Sequence, residues 1–161
     1  MAEAMAWIVH LDGRLCVAMG EHEMVHFIEH PVCKDIPHTP THCHQILWWE
    51  GECLPVLDLA AWLTGQPVER THAAVGIVRW QERSEAAPQY GALLCTGIPQ
   101  KLQVKDEQSC DLPVEPAGWR VVAVSCFRHN ALSVPIVDVP YIFSDALATN
   151  RVKILFTKMG S

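Results

Sequence analysis

A hexapeptide near the middle of the chain, Leu54–Leu59, returns almost unchanged 80 residues later as Val134–Val139. In both copies an aliphatic residue precedes a proline, two further aliphatic residues, an aspartate and a last aliphatic residue. A repeat at this distance in a chain of 161 residues predicts two related halves. We therefore expect the main set of strands in each half to end in the same short structural element.

Short apolar runs separated by turn residues dominate the rest of the sequence, and Asp12-Gly13 between two such runs indicates a hairpin. Run lengths and spacing are typical of small barrels or a sandwich rather than of βαβ units. We therefore predict a mainly β fold with few short helices. The predicted strands are residues 7–11, 15–19, 24–28, 46–49, 52–57, 74–80, 90–96, 100–105, 121–127 and 131–137.

The two repeated aspartates predict helix caps. Asp58 precedes a short helical pattern, residues 59–64, that Gly65 would end, so each half should run from strand through a tight exit into a helical turn. Asp138 begins a poorer copy that Pro140 interrupts. An acid/base pair needs two carboxyl groups in different environments, whereas these two have the same sequence setting. Capping is therefore the preferred interpretation.

Prolines and polar residues mark other boundaries. Pro55 and Pro135 lack the N–H that a ladder position requires, so we expect them at strand starts or sheet edges. The polar segment 82–88 predicts a hairpin loop and the seam between the halves. The tail, residues 148–161, has an apolar strip, Val152–Phe156, that suits an extra strand or helix or a frayed end.

Composition excludes several classes of function. The net charge is −6 and no run of Lys or Arg occurs, which argues against a nucleic-acid partner. No apolar segment is long enough for membrane insertion, and the first residues do not form a signal peptide, so we expect a cytoplasmic protein. The seven cysteines are odd in number and include no CxxC, which favours reduced core residues over a disulfide framework.

Three segments occur in an order typical of one family: Val25–Ile28, Ile36–Pro40 and Gln45–Leu59. They match V-x-E-I, I-P-x-x-P and G-x-x-N-x-R-G-x-x-x-P-[VI]-x-D-L of the CheW family of chemotaxis coupling proteins. The second half follows more loosely, through Tyr90–Leu94 and Val134–Asp138. In the order and spacing of these motifs the chain resembles that family over residues 5–147.

This resemblance implies one domain, residues 5–147, made of two five-stranded SH3-like β-barrels that share a core. It also implies a non-catalytic adaptor that couples a chemoreceptor to a CheA-type histidine kinase and uses no cofactor or metal. The partner-binding residues that it implies are Val25, Phe27, Ile28, Gln45, Trp48 and Glu50.

Departures from the family pattern fall at these same positions. Trp48 and Glu50 stand where the family has asparagine and arginine, and Phe27 replaces the glutamate of V-x-E-I. The family arginine is associated with receptor contact, so Glu50 reverses the local charge. Two alternatives therefore stay open: a CheW-like subunit of a pilus or surface-motility pathway, and an inhibitor that competes with a standard coupler. Strand alternation should point one indole of Trp48-Trp49 outward as a binding anchor or as a cover for the seam.

An alternative of another class comes from His22–His26, which reads HExxH. On a helix this spacing would place two zinc ligands and a glutamate base for a small hydrolase. Gly20 and Pro31 leave little room for a helix, and on a strand the two histidines would lie roughly 13 Å apart. We therefore expect exposed histidines. A second cluster has no matching ligand pair elsewhere and predicts no metal site; it comprises His38, His42, Cys43 and His44.

Overall fold

The computed structural model of the protein describes residues 3–147, and these residues form eleven strands. The strands are β1 Glu3–His10, β2 Cys16–Gly20, β3 Met24–Glu29, β4 Lys34–Asp35, β5 Gln45–Trp49, β6 Glu52–Leu57, β7 Ala73–Trp80, β8 Gln89–Thr96, β9 Gln100–Lys105, β10 Ala123–His129 and β11 Leu132–Val137. The helices are α1 Leu59–Thr64, α2 Trp119–Val122 and α3 Val139–Ile142, with 3₁₀ turns at Thr41–Cys43 and Asp106–Gln108.

The mainly β class predicted from the sequence is confirmed, and each predicted strand has a counterpart. Two local differences stand out: the two-residue strand β4 was not predicted, and residues 121–122 belong to α2 rather than to a strand. The prediction for the tail strip Val152–Phe156 lies outside the described residues.

The strands form two curled sheets. The first has the order β10-β11-β2-β1-β9, and the second has the order β3-β7-β8-β6-β5-β4. In the second sheet the chain leaving edge strand β3 returns as β4 to pair with β5. The chain leaving β9 returns similarly, since Ser109 bridges Phe127 and the Cys110 N–H donates to the Cys126 carbonyl at 3.0 Å. Each sheet is thus drawn toward closure by its own edge connection.

Strand pairing interleaves the two sequence repeats. The hairpin β1–β2 pairs with β9 and β11 of the second repeat, whereas β3 and β6 of the first repeat pair with the hairpin β7–β8 of the second. The segment 82–88 joins β7 to β8 within one sheet, so it is a hairpin loop but not the predicted seam. The chain passes between sheets at residues 21–23 and 97–99 instead.

Three hydrophobic clusters fill this architecture. One lies inside the first sheet around Phe127 and another inside the second sheet around Leu47. The third and largest packs between the two sheets, and each large side chain buried there contributes on the order of 1.5–3 kcal/mol. Fully buried members of this central cluster include Val9, Val17, Leu59, Trp62, Trp119 and Ile142.

Both copies of the hexapeptide make the same exit from strand to helix. The Asp58 side chain accepts the N–H of Ala61 at 3.1 Å, and the Asp138 side chain accepts the N–H of Tyr141 at 3.2 Å. Gly65 ends α1 in the left-handed region, with φ 75°. The predicted caps are confirmed, because each carboxylate satisfies a backbone donor that the first helical turn leaves unpaired.

The placement predicted for the prolines is wrong. Pro55 and Pro135 lie inside β6 and β11, which have neighbours on both sides. The parallel pairing of these strands begins one residue later, with Val56 opposite Ala92 and Ile136 opposite Ala18. The missing N–H therefore falls just before the parallel ladder starts, which explains how a proline is tolerated in an interior strand.

Candidate partner-binding surface

The exposed aliphatic residue of β3 is Val25, whose surface is 43% accessible. Phe27, two residues along, is half-buried against the central cluster. Beside them the crossing segment 97–99 presents Ile98, which is 72% exposed. These side chains line a surface cavity of about 320 Å³ together with Trp7 and Pro99. We call Val25, Phe27, Ile98 and Pro99 the β3 patch.

Ile28 does not join Val25 in one aliphatic surface. Successive strand residues face opposite sides, and Ile28 packs half-buried against the cluster inside the second sheet. Val25 is therefore the main exposed aliphatic residue of β3. Ile98 replaces Ile28 in the patch, and the sequence did not indicate this because Ile98 lies more than seventy residues further along the chain.

The hairpin β5–β6 carries the other predicted contact residues. Trp48 points outward and is 61% exposed, whereas Trp49 is half-buried against the cluster inside the second sheet. The predicted alternation of the two indoles is therefore confirmed. The Trp49 ring lies 6.1 Å from the His26 ring of β3 and 5.4 Å from the ring of Tyr90.

The tip of this hairpin is the two-residue turn Glu50-Gly51. Both residues have positive φ, 51° and 77°, as a type I′ hairpin turn requires. Because the left-handed region is costly for a residue with a side chain, Glu50 is held there by the turn and projects an exposed carboxylate from the tip. Gln45, at the opposite end of β5, is half-buried and donates to Asp35 at 3.0 Å. It lies away from the tip.

The contact between His26 and Trp49 brings two distant segments together. His26 follows Val25 on β3, and Trp49 lies between Trp48 and Glu50 at the hairpin tip. The curled second sheet thus brings β3, which carries Val25 and Phe27, close to the end of β5 that leads into the hairpin tip. Of the predicted partner-binding residues, Val25, Phe27, Trp48 and Glu50 lie on these two segments. Ile28 instead packs inside the second sheet, and Gln45 donates to Asp35.

The HExxH segment does not form the helical face of a zinc peptidase. His22 and Glu23 lie in the turn between β2 and β3, and His26 lies on β3 after a bulge. Glu23 instead accepts the N–H of Gly20 at 2.8 Å. Burial raises the pKa of the Glu23 carboxyl, and the negative charge of Asp138 adds to this increase, while the Gly20 hydrogen bond opposes it.

The second histidine cluster lies in the connection between β4 and β5. The His44 ring contacts the Thr41 carbonyl at 2.7 Å, beside the 3₁₀ turn, and the His42 carbonyl accepts the Asp58 N–H at 2.7 Å. Across residues 3–147, no three His, Cys, Asp or Glu side chains are close enough together to hold a metal ion.

Cysteines occupy three kinds of surroundings. Among the described residues all seven are free, and burial raises the pKa of the Cys95 thiol to about 12. Cys53 is exposed opposite Trp48, so the prediction that the cysteines are core residues fails there. Cys16, Cys95 and Cys126 are buried; Cys33, Cys43 and Cys110 are half-buried.

A buried ion pair fixes the first hexapeptide copy. Arg70 binds both carboxylate oxygens of Asp58, at 3.1 and 2.7 Å, and donates through Nε to the Leu11 carbonyl at 2.7 Å. The two charged side chains are only 3% and 8% exposed. Arg70 lies in the connection between the repeats, so one guanidinium ties that connection to the end of β6 and to the β1–β2 turn. Nothing in the sequence marks Arg70 as the partner of Asp58.

The family model for the CheW-like domain matches residues 6–147. The chain belongs to the CheW-like domain family. Among solved structures it is similar to the scaffolding protein TtCheW from Thermoanaerobacter tengcongensis, with a TM-score of 0.72 and 12% sequence identity. The match covers 89% of this chain and 90% of that chain, and it shows the fold. No curated protein matches the sequence.

The predicted architecture of two SH3-like subdomains is therefore confirmed for this CheW-like domain. The extra short strand β4 makes the second subdomain six-stranded rather than five-stranded. Within residues 3–147 of the domain, no helix has both the length and the apolar character needed to cross a bilayer.

Proposed function

We propose that the chain is a non-catalytic cytoplasmic adaptor that couples a chemoreceptor to a CheA-type histidine kinase. Membership of the CheW-like domain family and the likeness to a scaffolding protein support this function. One structural observation carries it furthest: the β3 patch and the outward indole of Trp48 are exposed on two segments that the contact between the His26 and Trp49 rings brings together. Exposed apolar groups clustered in this way are typical of protein interaction sites.

Binding would proceed through these surfaces and require no bond-making chemistry. Val25 and Phe27 contribute the apolar contact to the kinase, and the kinase domain that they meet is itself CheW-like. Trp48 has the large, rigid side chain that is enriched among residues dominating interface energies. A transient contact of this type buries under about 1,200 Å².

The hairpin tip would contact the receptor. Glu50 supplies a carboxylate at the exposed turn, where the family pattern has arginine, so the receptor surface it suits is basic. Gln45 lies at the far end of β5, so in this proposal it contacts the partner only at the edge of the interface. The same charge reversal supports a second candidate function with a different partner. The chain would then act in a pilus or surface-motility pathway, or it would compete with a standard coupler.

The test is a pull-down of the cognate kinase by purified variants. Val25→Asp places a charge in the β3 patch and should weaken kinase binding at least tenfold, or about 1.4 kcal/mol. Val124→Asp is the matched control, because Val124 is 65% exposed on β10 of the other subdomain. Its kinase binding should match that of the wild-type chain. Glu50→Arg should leave kinase binding intact and change receptor binding.

Unchanged kinase binding by both Val25→Asp and Glu50→Arg would show that the assigned surface is wrong. Equal losses in Val25→Asp and Val124→Asp would point to the other subdomain or to general destabilisation. Metal analysis of chelator-washed protein addresses the hydrolase alternative. One tightly held zinc per chain would support a role for His22 and His26, and we expect none.

A further inference from the structure

Two cysteines in the first subdomain contact each other through their sulfur atoms. The Cys110 Sγ donates a hydrogen bond to the Cys126 Sγ at 3.4 Å. The backbone is also paired at this point, since the Cys110 N–H donates to the Cys126 carbonyl and Ser109 bridges Phe127. The two residues therefore face each other across an antiparallel pair of segments.

We propose that Cys110 and Cys126 form a reversible disulfide when the protein meets a peroxide. A disulfide bond is about 2.05 Å long, so the two sulfur atoms need approach by only about 1.4 Å. The bond would join the returning segment after β9 to β10, which is the contact that draws the first sheet toward closure. This site shares no residue with the β3 patch or the hairpin tip.

The two thiols have different roles in the reaction. Cys110 is half-buried, whereas Cys126 is buried and has its pKa raised to about 12 by burial and by the neighbouring Cys110 thiol. The thiolate is the nucleophile in cysteine oxidation, so Cys110 reacts first. Cys110 is also the more accessible of the two thiols, because it is half-buried whereas Cys126 is buried.

The oxidation balances in two steps. The Cys110 thiolate attacks one peroxide oxygen, forming an S–O bond and breaking the O–O bond, and the hydroxide released takes up a proton as water. The Cys126 sulfur then attacks the Cys110 sulfenic acid, forming the S–S bond and breaking the S–O bond, and its proton leaves with the departing hydroxide as a second water. Two thiols lose two electrons, and one peroxide is reduced to two waters.

The test is intact-mass analysis and peptide mapping of the full chain after exposure to hydrogen peroxide. We expect loss of two hydrogen atoms, a cross-linked peptide pair containing Cys110 and Cys126, and complete reversal by a thiol reductant. Because residues 110 and 126 are 16 apart in sequence, the oxidised chain should also melt about 5 °C higher. Cys110→Ser should abolish both effects, and Cys126→Ala should do the same while leaving Cys110 open to further oxidation.

Cys53→Ser is the matched control, because Cys53 is the exposed cysteine among the described residues. This variant should form the bond as readily as the wild-type chain. Stepwise oxygen addition to Cys110 without a cross-link would overturn the proposal. So would disulfide-linked dimers through Cys53 in which Cys110 and Cys126 remain open to alkylation.

Discussion

The two hexapeptide copies make the same turn but are held in different ways. Asp58 caps α1 and also binds Arg70 through both carboxylate oxygens. Asp138 caps α3, but within residues 3–147 it has no ion-pair partner. Its negative charge instead acts on the Glu23 carboxyl and helps raise the pKa of that group. The hydrogen-bonded cap alone is enough to fix the backbone. The ion pair is an addition to one copy.

This difference has a structural consequence. Arg70 lies between the two repeats and reaches both the β1–β2 turn and the end of β6, which belong to different sheets. No such link is made at the second copy among the described residues. The first copy therefore adds a charged link between the two subdomains to the apolar packing between the sheets that both copies share.

The largest expected effect separates the two aspartates. Asp58→Ala removes a cap and leaves the buried Arg70 charge unpaired, so it should lower the free energy of unfolding by about 3–5 kcal/mol. Asp138→Ala removes only a cap, which costs about 1 kcal/mol. Denaturant unfolding of both variants measures the difference. Equal losses would show that the Arg70 pair does not distinguish the copies.

The ends of α1 and α3 offer a second comparison. Phe143 follows α3, and its ring stacks on that of Trp80 with 4.8 Å between the ring centroids. The Phe143 ring leaves no room for a side chain at Gly91. Gly91→Ala should therefore cost about 1–3 kcal/mol through overpacking. Gly65→Ala forces a side chain into the left-handed end of α1 and should cost about 1 kcal/mol. A Gly65→Ala loss larger than the Gly91→Ala loss would contradict this order.

The smallest effect should depend on pH. Burial and Asp138 raise the pKa of Glu23 in the folded chain, so the protonated form is favoured there. The folded state is then most favoured below the ordinary Glu pKa and loses this contribution as the pH rises through the raised value. Glu23→Gln keeps an oxygen for the Gly20 N–H and should raise the Tm by about 2 °C at pH 7, with no gain at pH 4. A gain that is independent of pH would exclude ionisation as its cause.

Local features of this fold were readable from the sequence because local physics decides them. Short apolar runs between turn residues marked the strands, and the aspartates marked the helix starts at 58 and 138. The alternation of side chains along a strand separated the outward Trp48 from the inward Trp49. These outcomes depend on side chains within a few residues of each other.

Features that depend on distant partners were missed. Nothing near β1 or β2 shows that they pair with β9 and β11, so the polar loop 82–88 was mistaken for the seam. Arg70 lies in a polar connection, and its partners Leu11 and Asp58 are identified only once the chain is folded. Likewise, the partner of Val25 in the surface patch is the distant Ile98 rather than Ile28.

The strands of the two repeats are interleaved in both sheets, and splitting the chain tests this arrangement directly. Fragments 1–68 and 69–161 separate the repeats at the connection before β7. Because each sheet draws strands from both fragments, neither alone should show a cooperative melt by circular dichroism, while the mixture should regain one. A fragment that melts cooperatively as a monomer, without the other, would contradict the account.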